Sequence, residues 1–368
     1  VTVPENLVGW IGLSLVFHEK LASVQKILRA FSPIGDVYRA RIRDLKALGV
    51  EEDAARQLLA PATQERARKE LDRLDRAGFG VLTWDDEGYP ERLREIYDPP
   101  AVLYYAGRIQ LLEGPGVSVV GAREPTPYGR AVAEKLASDL AERGIVVISG
   151  LARGIDATAH WGALRTGSTA AVLGSGLNVV YPRENRKLWE KIAEQGVVVT
   201  EYPLGSRPLQ HHFPLRNRII SGLALAVVVV EAARRSGSLI TARLALEQNR
   251  EVQAVPGNIT SELSRGANWL IKSGARLVEG WEDVIEELPA PWREELRGRI
   301  PERPTPPPAL TAAEKSLLDQ LRPDELRHVD ELVEETRLSV SEVLAHLLSL
   351  ELKGCVSPRP GQYYQRKM

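Results

Sequence analysis

The sequence predicts an α/β protein, in which a doubly wound, mostly parallel sheet lies between a helical N-terminal domain and a small C-terminal helix-turn-helix with a wing. Three observations carry the prediction. Between Val81 and about Leu288, short β-branched runs alternate with helix-like segments, and runs apolar on both faces are strands buried beneath βαβ crossovers. Up to Ala77 the apolar residues recur at helical spacing. Beyond the proline-rich stretch Pro301–Leu310, two helical segments are followed by a short strand–turn–strand pattern.

Taken in order, residues 1–77 form the helical domain, with breaks at Ser32-Pro33 and Gly49. Residues 78–288 form the sheet domain. Its strands are VSVVG (Val117–Gly121), IVVISG (Ile145–Gly150), AAVLGSG (Ala170–Gly176), VVVTEYP (Val197–Pro203), AVVVVEA (Ala226–Ala232) and EVQAVPG (Glu251–Gly257). This is the Rossmann-like arrangement of parallel strands and crossover helices. Residues 289–310 are too rich in proline for a core and read as a semi-rigid linker. In residues 311–368, His328–Thr336 and Ser339–Gly354 are helices around a turn at Leu338, and strands flank Pro360-Gly361.

Charge excludes some functions and localises others. The chain of 368 residues carries 48 Lys and Arg against 49 Asp and Glu, so it is not a uniformly basic nucleic-acid binder. By segment the balance is uneven. Leu151–Ile220 holds nine basic and five acidic residues, a net +4; Thr311–Leu352 holds four and ten, a net −6; and the last 16 residues hold four basic and no acidic residue. A recognition helix with Glu342 and no basic residue before Lys353 suits phosphates poorly, so the winged segment is expected to contact protein, with weak DNA contact through the wing. The lone cysteine, Cys355, permits neither an intrachain disulfide nor a thiolate zinc site, which points to a reducing cytoplasm. The longest apolar run, Leu223–Val230, is strand length, and no membrane span or secretory signal is expected.

In open α/β sheets the loops after the strands carry the ligand. Here they read GAREPTPYG (Gly121–Gly129), SGLARGIDATAH (Ser149–His160), GSGLNVVYPRENR (Gly174–Arg186), QHHFPLRNRIISG (Gln210–Gly222) and EAARRSGSLITA (Glu231–Ala242). Glycines, helix starts and arginines on one rim make an anion-binding crevice. No GxxxxGK[ST] exists, and Gly174-Ser175-Gly176 is followed by Leu-Asn-Val, which spoils a dinucleotide fingerprint. Several arginines spread over several loops suit a polymeric backbone better than one phosphate. Phe213, one of only four phenylalanines, either packs under the sheet or offers a ring for base stacking.

The ordered series GAR (Gly121–Arg123), SGLARGIDATAH, LGSGL, Tyr181-Pro182, HFPLRNRIISGL, VVEA, SGSLITA and AVPGN resembles the DNA-processing protein A family, also called Smf, across about Tyr104 to Glu279. The flanking domains are similar to those of its fuller members, a sterile-alpha-motif or helix-hairpin-helix-like domain and a winged helix. The resemblance implies a cytoplasmic single-stranded DNA-binding protein of natural transformation. Such proteins protect incoming strands, help load the RecA recombinase, dimerise through the sheet domain, and use no cofactor, metal or catalytic residue. It also implies roles for particular positions. Arg123 matches a phosphate contact, Arg183 matches a DNA-binding position that is usually Lys or Arg, Phe213 matches the aromatic against bases, and Gly174, Ser175, Gly176, Ser236, Gly237 and Ser238 match backbone amide cradles. Gly150, His212, Arg216 and Asn217 complete the expected DNA-binding set. Gln210 departs from the resemblance, because Lys or Arg is common at that place; its amide still donates, and His211 or His212 could add charge below about pH 6.5.

Other assignments remain open in the sequence. Arg216 and Arg218 either clamp phosphate or pair with Glu201 or Glu231. Asp156 and His160, four apart, read as a helix cap and a buried histidine rather than a catalytic pair, and His211-His212 is not expected to hold a metal. The Leu48-Gly49-Val50 hairpin binds DNA or serves as scaffold. Two functions compete with single-strand binding: a nucleotide-processing enzyme such as a phosphoribohydrolase, and a winged-helix transcription regulator.

Overall fold

A computed structural model describes residues 5–17, 21–31, 34–298 and 310–367. The Ser32-Pro33 break and residues 301–309 of the proline-rich stretch lie outside the described residues.

The N-terminal domain consists of α1 (Glu5–Phe17), α2 (Leu21–Ala30), α3 (Ile42–Ala47), α4 (Glu52–Leu59) and α5 (Pro61–Ala77). Gly49, at φ +80°, makes the turn between α3 and α4 that the sequence predicted. Pro61 opens α5 at a position where its missing N–H is not needed.

The sheet domain runs β1 (Gly80–Thr83), α6 (Glu91–Arg94), β2 (Val102–Gly107), β3 (Gly116–Val120), α7 (Pro127–Glu142), β4 (Val146–Ser149), α8 (Ile155–Ala163), β5 (Thr169–Val172), α9 (Arg186–Gln195), β6 (Val197–Thr200), α10 (His212–Leu223), β7 (Ala226–Val229), α11 (Gly237–Glu247), β8 (Glu251–Ala254), α12 (Arg265–Lys272), β9 (Arg276–Leu277), α13 (Trp281–Glu286) and α14 (Ala290–Gly298). The strand order is β1-β2-β6-β5-β4-β3-β7-β8-β9. All six predicted strands are present and pair in parallel. The antiparallel edge made by β2 on β6, extended by β1, was not anticipated. Nor was α14, which reaches past the expected boundary at residue 288 and buries Leu296 in the sheet core.

One face of the sheet packs on α10, α11 and α12 through residues such as Ile148, Val172, Val199 and Val229. The opposite face meets α7, α8, α13 and α14 through Val119, Val147 and Val228. Toward the β6 side, Ala171, Val198, Leu188 and Ile192 join Trp10, Leu13, Leu58 and Leu74 of the N-terminal helices in one continuous core. The winged-helix domain has its own core. It comprises α15 (Ala312–Asp319), β10 (Arg327–His328), α16 (Val329–Thr336), α17 (Val340–Leu352), β11 (Val356–Arg359) and β12 (Tyr363–Arg366), with strand order β10-β12-β11.

Candidate nucleic-acid interface

The chain order fixes where a ligand sits. From β3 the crossovers proceed through β4 and β5 to β6 on one side, then through β7 and β8 to β9 on the other. Adjacent strands β3 and β7 therefore flank the switch point, and the crevice beyond their carboxyl ends is the expected binding place. The loop after β3 supplies Arg123, and the loop after β7 supplies Arg234, Arg235 and the start of α11.

Phe213, at the start of α10, is the centre of the arrangement. Its ring is partly exposed, 6.0 Å from the Arg123 guanidinium and 5.6 Å from the exposed ring of Tyr181. It also lies over Gly174: a Cβ there would stand 3.1 Å from the ring, so glycine lets the ring lie this close without being pushed aside. The peptide bond Tyr181-Pro182 is cis. Two aromatic faces and a guanidinium thus share one patch of surface, with Arg183 exposed on the adjoining turn. On the other side, Asn217 donates to the Gly237 carbonyl at 3.4 Å, tying α10 to the start of α11. Ser236 caps that helix, its oxygen accepting from the Ser238 N–H. Free N–H groups in the first turn of a helix favour an anion.

Beneath this surface lie charges that face inward. Arg216 is 4% exposed and donates to the carbonyls of Gly150 (2.8 Å) and Val172. The Gly150 N–H is taken by Asp156, which also accepts from Ala152. Neither Arg216 nor Gly150 therefore offers its expected group to a ligand; both hold the loop after β4 in place. Burial lowers the Arg216 pKa to about 10, against the pull of Asp156, and raises the Asp156 carboxyl above its usual range. His160 is the buried histidine that the sequence suggested: Nδ1 meets Thr169 at 2.7 Å, and desolvation lowers its pKa to about 3. His212 is also buried, stacked on Tyr202 and bonded to the Gly174 carbonyl, so it shapes the turn. Ser175 donates to the Val179 carbonyl, and the Gly176 N–H donates to Ser206. Gln210 is exposed on the turn before α10.

The sequence's charge count takes a new form here. Arg218 is committed to Glu201 and Asp98, Arg153 to Glu184, Arg165 to Glu134, Arg186 to Glu190 and Lys191 to Glu194. The second candidate partner, Glu231, instead accepts from the Thr126 N–H and hydroxyl and fixes the start of α7. Among the described residues, Arg123, Arg183, Lys187, Arg207, Arg234 and Arg235 make no such pair and are exposed. No motif in the sequence marks Arg234, Arg235 or the Tyr181 ring individually; their loops follow strands that meet at the rim, and that position is the available signal. No group of three metal-ligating side chains occurs among the described residues, and none of their helices is long and apolar enough to cross a membrane.

A family profile described as DNA recombination-mediator protein A matches residues 80–289, more than half of the chain. The chain belongs to that family. A second profile, the DprA winged helix domain, matches residues 301–362. Protein Smf of Synechocystis is 40% identical over 319 residues, covering 78% of this chain and 80% of the relative. The DNA processing protein DprA of Streptococcus pneumoniae is 48% identical over 211 residues, covering 57% and 73%. The crystal structure of that streptococcal DprA superposes with a TM-score of 0.69 at 36% identity, covering 78% of this chain and 99% of that one. DprA of Helicobacter pylori, a structure described as giving insight into a unique single-stranded DNA binding mode, superposes at 0.52 with 32% identity, covering 56% and 94%. Membership establishes a DNA-processing protein with a Rossmann-like sheet and a winged helix, as the motif series implied.

Proposed function

We propose that this chain binds single-stranded DNA without catalysing a reaction, in the cytoplasm of a cell that takes up DNA. In this reading it protects incoming strands, acts as a homodimer through the sheet domain, and hands the strand to the RecA recombinase. One observation carries the DNA-binding part: at the switch point, the partly exposed ring of Phe213 and the exposed ring of Tyr181 lie beside the unpaired guanidinium of Arg123. Rings give bases a face to stack on, and guanidiniums neutralise phosphates without reading sequence. The Ser236–Ser238 helix start, Arg183, Asn217 and Gln210 line the same rim, and Gly174, Ser175 and Gly176 form the buried turn beneath Phe213. Gly150, His212 and Arg216 support it from below.

The winged helix is assigned to protein contact. The exposed face of α17 carries Val340, Leu344, Leu348 and Leu352 where a duplex reader would present basic or amide side chains.

The test is fluorescence anisotropy with labelled poly-dT across a salt series. The parent should bind single strands far better than duplex. Arg123→Ala should weaken binding to every sequence alike and flatten the plot of log K against log [salt] by about 0.7. An Arg123→Ala variant with the parent's affinity at every salt concentration would remove the site from consideration.

A further inference from the structure

We propose that the strand's path continues from the crevice onto the N-terminal helical domain, where Arg66 and Lys69 of α5 form a second, sequence-independent subsite for the phosphodiester backbone. The inference rests on the single-strand reading above and extends it to residues that reading does not use.

The loop following β6 connects the two places. At one end, the Ser206 carbonyl accepts the Gly176 N–H at 3.1 Å, and Asn178 accepts the Gly205 N–H at 2.8 Å. This places residues 205 and 206 against the glycine turn on which Phe213 lies. Across the loop, α5 forms the far wall of an open cleft of about 500 Å³ lined by Arg66, Lys69, Arg73 and Pro203–Ser206. Glu70, 4% exposed, pins the two walls together: its carboxylate accepts the Leu204 N–H at 2.5 Å and Arg73 at 2.8 Å. The cleft is therefore a fixed continuation of the crevice wall, and exposed Arg207 stands where the loop turns back toward α10.

The charges of the cleft are available to an anion. Arg66 is exposed and makes no ion pair among the described residues. Lys69 meets only Glu65, one turn away at 3.3 Å, with both side chains more than half exposed. A surface pair of that kind is worth little and exchanges readily for phosphate. Arg73 is balanced by Glu70 and belongs to the pin rather than the subsite. A polymer leaving the rim meets these cations next; a short oligomer held at Phe213 does not reach them.

The experiment compares dT oligomers of about 6 and about 20 nucleotides, which bracket common single-strand site sizes. The parent is set beside Arg66→Ala/Lys69→Ala, both on the exposed face of a helix that alanine favours. Two lost contacts at about 0.7 each flatten the salt slope for the long oligomer by about 1.4, and the short oligomer keeps the parent's slope and affinity. The charge-conserving pair Arg66→Lys/Lys69→Arg restores the long-oligomer slope. An unchanged long-oligomer slope overturns the subsite, as does an equal loss at both lengths. A parent that binds neither length refutes the single-strand reading itself, a different result from either.

Discussion

Arg216 separates two roles that the sequence could not distinguish, and Arg216→Met tests them. Methionine keeps the length and flexibility of the side chain but carries no donor. The substitution leaves the Gly150 and Val172 carbonyls without their partner, and Asp156 loses the nearest compensating charge. Breaking a buried charge interaction in this way costs about 3–5 kcal/mol. With a urea dependence of roughly 2–3 kcal/mol per molar, the unfolding midpoint falls by about 1–2.5 M. Poly-dT affinity measured in the folded range should also fall, because the loop carrying Gly150 is no longer held. The salt slope should stay at the parent's value, since no phosphate contact disappears. A variant with the parent's midpoint and a slope flatter by about 0.7 would show that Arg216 touches phosphate, and the supporting role would be refuted.

Further outcomes follow from the same geometry. Phe213→Ala should lose about 1–3 kcal/mol of binding to single strands, with the salt slope retained, because stacking releases no counterion; anisotropy against dT measures both. Gly150→Ala should destabilise the fold, since the new Cβ would stand 2.7 Å from the locked Arg216 guanidinium; a thermal melt reports it. His160, depressed from 6.5 to about 3, contributes stability that is fully present above pH 6.5. Below that the unfolded chain takes up the proton first, so this contribution is lost as pH falls from 6.5 toward 3, by up to about 4–5 kcal/mol. Urea midpoints between pH 7 and pH 4 should decline, and His160→Gln should decline less steeply over the same interval. Leu344→Asp/Leu348→Asp should leave affinity for single strands and duplex unchanged; a loss of duplex binding would return α17 to DNA contact.

What the sequence conveyed depended on how local the determining interaction was. Strands β3 to β8 were legible because runs such as VSVV and AVVVV are apolar on both faces. The β1–β2 edge was not, because its two short strands are defined by pairing with each other and with β6 rather than by a distinctive run. The start of α14 is bracketed by Pro289 and Pro291, which read as linker, and only the burial of Leu296 shows otherwise. The net +4 of Leu151–Ile220 was correct as a count and misleading as a field. Arg153 is paired with a residue 31 positions away, and Arg165 with Glu134 on another helix. Arg216 and Arg218 are two apart on α10 and both buried, yet one holds the loop after β4 and the other Glu201 and Asp98. Periodicity places such residues inside but does not name their partners.

The continuous core beneath the N-terminal helices has a practical consequence. A fragment cut at residue 78, where the sequence divides, would leave Tyr104, Ala106, Leu188 and Ile192 without the cover that Trp10, Leu13 and Leu74 provide. Such a fragment would expose a greasy flank and precipitate unless those positions were made polar. A change of side-chain volume on α1 or α5 therefore has to be accommodated on β2 and α9, although the chain visits the two halves in turn.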